Sequence, residues 1–111
     1  MNTDEKIKIA NDIYKKLINV QRGEWNKWVS FFKAKKDWSL SLKLAFMLSE
    51  SPMLRPGPRD SYRKIYKAIS DKRKILEKMK FSDVIDIFGY ISWKLAIPIG
   101  FGMWKYGEEG Q

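Results

Sequence analysis

The side chains best suited to chemistry in this chain are cations. Arg55, Arg59, Arg63, Lys64, Lys67, Lys74 and Lys78 crowd one stretch, which opens on RPGPR and runs on through SYRKIYKAISDKRK. A protonated guanidinium or ammonium has no lone pair to offer, so it binds rather than turns over. Its partner is an anion. Cations repeated along a helix suit a chain of anions better than one small anion.

The charge map points the same way. The formal net charge is +9. Residues 1–54 hold ten Lys/Arg against six Asp/Glu, or +4; residues 55–80 hold ten against three, or +7; residues 81–111 hold two against four, or −2. The excess is therefore concentrated around the RPGPR stretch. Nucleic acid is the expected partner. The competing explanations are a solvated face that only keeps the protein in solution, and an anionic membrane surface.

Catalytic sets are missing. The chain has no cysteine and no histidine. That removes disulfides, thiol nucleophiles, the usual zinc ligands and the commonest general base. No glycine-rich phosphate loop and no Ser/His/Asp or Cys/His arrangement occurs. Asp83 and Asp86 stand three apart at a helix start and could share a metal ion. A carboxylate stabilising a helix N-terminus explains Asp83 more simply, and Asp86 is expected to face solvent. RPGPRD could hold an anion through Arg59 and the N–H groups that begin a helix, which is binding and not turnover. No catalytic residue, cofactor or metal site is assigned, and the chain is not expected to be an enzyme.

The aromatic residues admit two uses. Tyr62 and Tyr66 lie beside the cations and could stack on bases, but their spacing equally fits a core stripe. The tryptophans are assigned to the core, because a small helical domain needs large side chains to bury enough area. Trp104, set among glycines, is the expected exception.

These residues need elements to position them. Ile7, Ala10, Ile13, Tyr14, Leu17 and Ile18 recur at three- and four-residue spacing, as do Trp25, Trp28, Val29 and Phe32. The pattern predicts helix from about 3 to about 34, capped at Asn2 or Thr3 and interrupted near Gly23. DWSLSLKLAFML alternates like a strand, but Leu40, Leu44, Met47 and Leu48 also fit a helix capped by Asp37 or Ser39. No other segment alternates to pair with a strand, so helix is expected. Pro52, Pro56, Gly57 and Pro58 predict a loop. Asp60 or Ser61 then caps a helix whose apolar stripe is Tyr62, Ile65, Tyr66, Ile69 and Leu76. Arg63, Lys67, Lys74 and Lys78 share its other side, a strip about 22 Å long at 1.5 Å per residue. Ser82 caps a last, mostly apolar helix that stops at Pro98. Asp86, Lys94 and Pro98 argue against a membrane span over 84–104, and in a bundle both charges can reach the surface. Residues 107–111 are expected to fray. MNTDEKIKIAND lacks the apolar run of a signal peptide, and the missing cysteines suit a reducing compartment, so a cytoplasmic location is expected. The expected fold is all-α, a single-domain bundle of four or five helices over 1–111.

Over residues 60–107, and most visibly in ILEKMKFSDVIDIFGYISWKLAIPIGFGMWKYGEEG, the chain resembles the small α-helical subunits of type III CRISPR effector complexes. The shared traits are a cysteine-poor bundle of this size and an aromatic-rich last helix running into an aromatic–glycine tail, here Trp93 through Trp104, Tyr106 and Gly107. Pro98 and Gly100 interrupt that helix, and RPGPR has no counterpart in the family pattern. The resemblance implies a non-catalytic subunit, stacked in several copies beside a guide–target duplex and touching other subunits of a ribonucleoprotein, with RNA ahead of DNA as the nucleic acid bound. The alternative from a different class is a small basic adaptor or inhibitor, viral or plasmid-encoded, that meets an acidic protein.

Overall fold

A computed structural model of the chain describes residues 2–97. Among them are five α-helices, one 3-10 turn and no strand. The protein is an all-α bundle.

Helix α1 (Thr3–Tyr14) starts where acids and a cap favour it. The Glu5 N–H donates to Asn2 Oδ1 at 2.8 Å, and the Asn2 N–H donates to the Glu5 carboxylate at 3.2 Å. Each side chain thus satisfies an N–H that the first turn leaves open. The 3-10 turn Lys15–Leu17 follows, and then the chain turns. The interruption expected near Gly23 falls earlier, at Asn19, whose φ of 73° is left-handed. Asparagine tolerates that conformation better than most residues. The turn lets Leu17 and Val20 both reach the interior. Gly23 instead sits in the first turn of α2 (Arg22–Lys35), and the Gln21 N–H just before it donates to Ser61 Oγ at 2.9 Å.

Lys36, at φ 53°, closes α2 in the left-handed region. Asp37 opens α3 (Trp38–Ser49) by accepting the Leu40 N–H at 2.9 Å. DWSLSLKLAFML is therefore helical, and of the two expected caps, Asp37 and Ser39, it is Asp37 that serves. The proline segment differs from the expectation of a loop through RPGPR. Helix α4 (Pro56–Leu76) begins at Pro56, where a missing N–H costs nothing, and Arg55 is its N-cap. Neither Asp60 nor Ser61 caps it; Ser61 is buried and serves Gln21 instead. Helix α5 (Phe81–Ala96) likewise starts one residue before Ser82, with Lys80 as N-cap. It ends at Ile97, whose extended backbone is what a following proline demands.

Helices α3 and α4 form the most extensive pair, an antiparallel hairpin; α1 packs on α5, and α2 touches α3, α4 and α5. The centre is aromatic. Trp25 and Trp28 meet the Phe88 ring at 5.3 and 5.6 Å, and Phe32 joins them. Edge-to-face contacts of this kind add to the area they bury. The indole N–H groups are spent inside: Trp28 donates to the Ser41 carbonyl at 2.8 Å, and Trp25 to Ser92 Oγ at 2.9 Å. The α4 stripe predicted from spacing points inward, with Tyr62, Ile65, Ile69 and Leu76 buried and Tyr66 half-buried.

Two expectations fail in α5. Lys94 does not reach the surface. It is 2% exposed, donates to Asn11 Oδ1 at 3.0 Å, and lies over the Tyr14 and Tyr90 rings. Trp93, expected in the core, is instead 56% exposed. Among the described residues no helix is long and apolar enough to cross a membrane. The expectations for Pro98, Trp104 and the 107–111 tail lie outside the described residues.

Candidate nucleic-acid interface

Helix α4 decides where the cations go. At about 100° per residue, Arg59, Arg63, Lys67 and Lys74 fall within an arc of about 80°. That arc lies opposite the buried stripe of Ile65 and Leu76, so it faces outward. Arg55, the exposed N-cap, stands at its head. Lys78 does not belong to the helix: α4 ends at Leu76, and Lys78 sits in the turn before α5. The strip nevertheless keeps its length. Arg59, expected on a loop, is in the first turn of α4, and Arg59 to Lys74 again covers about 22 Å at 1.5 Å per residue. Lys64 points elsewhere, about 100° round from Arg63. Its ammonium bonds the Ile18 carbonyl and the Asp60 carboxylate, both at 3.1 Å, and so ties α4 to the turn after α1.

Pairing separates the cations further. Arg63 donates to the Ser49 carbonyl at 3.3 Å, which fastens the end of α3, and lies 3.6 Å from Asp60. On the flanks, Lys72 faces Asp12 at 3.6 Å and Arg73 binds Glu77 at 2.9 Å and Ser39 at 3.0 Å. Asp71 is held by Lys16, and that hydrogen bond keeps its carboxyl below the usual carboxylate range. Arg55, Lys67 and Lys74 make no ion pair and no side-chain hydrogen bond among the described residues. The Arg59 Nε is buried without a hydrogen-bond partner there. The nearby carboxylates are thus committed to the flanks, while the outward ridge keeps its charge. The N-terminus of α4 also breaks a local rule. It carries Arg55 and Arg59 and no acid in the first turn, although the helix dipole favours acids there.

The two tyrosines part company. Tyr62 is core: it is 3% exposed and its hydroxyl donates to Glu24 at 2.7 Å. Burial, with the Glu24 carboxylate adding to it, pushes that hydroxyl well above the ordinary tyrosine range. Tyr66 is half-buried and meets Phe46 of α3 with ring centroids 5.6 Å apart. The two rings lie in a groove of about 410 Å³ between α3 and α4, with Ser39, Lys43, Ser70 and Arg73 also on its walls. Phe46 and Lys43 were not singled out by spacing. The signal that could have found them is α3 itself, which is apolar on too many sides for one buried face. Leu40, Phe46 and Met47 are all left exposed on it.

Asp83 and Asp86 meet a lysine. The Lys6 ammonium lies 3.1 Å from Asp83 and 2.7 Å from Asp86, and joins α1 to α5. Asp86 is largely exposed, as expected. The hydrogen bond from Lys6 holds the Asp83 carboxyl below the usual range, while Asp86 first and Asp83 second raise Lys6. Among the described residues no three potential metal ligands of the His, Cys, Asp or Glu type gather in one place.

Comparison with protein-family models, with curated proteins and with solved structures finds no match to this chain.

Proposed function

We propose that this protein is a non-catalytic, nucleic-acid-binding helical module. It works as a small subunit of a ribonucleoprotein assembly, in the manner of the small subunits of type III CRISPR effector complexes. The observation that carries the reading is the outward ridge of α4, where Arg55, Lys67 and Lys74 have no counter-charge of their own among the described residues. A cation strip this long neutralises several phosphates of one strand and gives charge with little directional recognition. Binding therefore tracks the backbone and is indifferent to sequence. The exposed Leu40, Met47 and Met53 give other subunits, or further copies of the chain, an apolar surface to meet.

The test is a salt titration. With four to six phosphates neutralised, log K for a single strand falls with log[salt] at a slope of about −3 to −4. Arg55→Glu, Lys67→Glu and Lys74→Glu together are expected to weaken binding equally on unrelated sequences and to flatten the slope to about −1 to −2. Arg63 is left in place because it holds the end of α3. Circular dichroism is expected to stay unchanged. Undiminished affinity in the folded triple variant would return the ridge to ordinary solvated surface. Preference for an acidic protein over any nucleic acid would favour the adaptor reading.

A further inference from the structure

We infer that the groove between α3 and α4 is a stacking site for unpaired bases of a single strand whose phosphates follow the outward ridge of α4. The inference rests on the nucleic-acid reading above and names the form of the ligand and where its bases go.

Three observations converge on the groove. Its aromatic pair is available: Phe46 is 51% exposed, and its ring stands 5.6 Å from that of Tyr66, tilted by 55°. An aromatic ring this exposed gives a base a surface to stack on. Next, the groove carries an unanswered cation. Lys43 lines it without an ion pair among the described residues, Arg73 lines it with its Nε held by Glu77, and no carboxylate is on its walls. Ser39 and Ser70 add hydroxyls that can meet base edges or sugar.

Position supplies the third observation. On α4, Tyr66, Ser70 and Arg73 are centred about 70° round the helix from the centre of Arg63, Lys67 and Lys74, which is one ridge over. A strand laid along the cation ridge therefore has its bases within reach of the groove. The hairpin register agrees, since Arg63 meets Ser49 at one end and Arg73 meets Ser39 at the other, with Phe46 and Tyr66 between. A duplex keeps its base faces covered and has none to give this groove, whereas a single strand does. Stacking of this kind tolerates any base, so it adds affinity without sequence preference.

The experiment measures binding of three probes by fluorescence anisotropy. They are a single-stranded RNA 12-mer, an abasic ribose-phosphate 12-mer, and an RNA duplex of the same length. The single strand is expected to bind more tightly than either of the others. Phe46→Ala is expected to lower affinity for the single strand roughly five- to a hundredfold, with the abasic affinity and the salt slope unchanged. Phe46→Trp, which keeps a flat ring, is expected to restore the single-strand affinity. Equal affinity for the normal and abasic strands, tighter binding of the duplex, or a Phe46→Ala variant that binds like the parent would overturn the stacking site. Each of these leaves the phosphate ridge standing. Failure to bind all three probes would remove the nucleic-acid reading, and the stacking site with it.

Discussion

The α1–α5 side and the α3–α4 side of this bundle use the same residue types for opposite ends. Where α1 meets α5, two lysines are taken up by the partner helix. Lys6 sits between Asp83 and Asp86, and Lys94 is buried against Asn11 and two tyrosine rings. On the outer face of α4, Arg55, Lys67 and Lys74 have no such answer among the described residues, and Phe46 and Met47 of α3 are left in water beside them. Folding does not need those cations. A helix tolerates them only at some electrostatic cost, and two arginines at the positive end of α4 add to it. What sets the ridge of α4 apart is that, among the described residues, Arg55, Lys67 and Lys74 stay unpaired although Asp60, Asp71 and Glu77 of the same helix region are each held by another cation.

The largest expected effect separates the two sides outright. Ile87 is fully buried where α5 meets α1. Ile87→Ala removes most of that side chain and is expected to cost about 2–5 kcal/mol, a large part of the stability of a domain this size. Urea unfolding should show the loss. Below the transition, nucleic-acid affinity should be that of the parent, because the α4 ridge is untouched. The ridge triple variant gives the mirror image, with affinity lost and the urea midpoint kept. If Ile87→Ala weakened binding while still folded, the division between the two sides would fail.

How much of this was legible in the sequence depends on which force set each feature. Helices came through because their apolar spacing is local, and Asp37 marked the start of α3 correctly. The ends of α4 and α5 did not. Arg55 and Lys80 are N-caps that make no side-chain hydrogen bond, so composition gives no sign of them. Pro56 reads as a loop residue beside Gly57 and Pro58, although a first helical position suits it equally well. The turn at Asn19 was missed because burial of both Leu17 and Val20 is a tertiary demand. Lys94 was expected at the surface for a similar reason: only α1, folded back on α5, provides Asn11 and Tyr14 to receive it. The cation ridge was visible as periodicity, but which cations keep their charge was not. That depends on Asp12, Asp60 and Glu77 reaching Lys72, Lys64 and Arg73. The groove was invisible for the same cause, since Phe46 and Tyr66 are twenty residues apart in the chain and meet only when the hairpin closes.

A smaller effect sharpens the comparison from the other side. Asp37 holds the Leu40 N–H at the start of α3. Asp37→Ala is expected to cost about 1 kcal/mol, the usual value of an N-cap. The loss should be felt first where the cap acts. Amide exchange is expected to speed up in the first turns of α3, and less so in α1 and α5. Because Ser39 and Lys43 line the groove, single-strand affinity should fall slightly while abasic-strand affinity holds. Uniform loss of protection across all five helices would mean that the hairpin and the α1–α5 pair open as one unit.

The smallest expected effect is the pH response of the Lys6 clip. Asp83 is held below the usual carboxylate range by Lys6, so it binds fewer protons in the folded chain than in the unfolded one. Its contribution is therefore complete above the ordinary carboxylate pKa of about 4 and is lost as pH falls through the lowered folded value. Lys6 is raised, so its share is complete below the ordinary lysine pKa of about 10.4 and is lost only as pH climbs through the raised folded value. The clip is whole between those limits. Lys6→Met removes it, which should lower the urea midpoint slightly at pH 7. The gap between variant and parent should narrow as pH falls through the lowered Asp83 value. Asp71, held low by the hydrogen bond from Lys16, also loses its contribution in acid, but that pair is present in both proteins and cancels in the difference. Tyr62 resists ionisation in the folded state, so it weakens both proteins alike at high pH and leaves the acid comparison alone. A gap that stays the same size from pH 7 down through the acid range would show that Lys6 acts through its packed methylene stem, and that the α1–α5 side is held by apolar contact with its charges incidental.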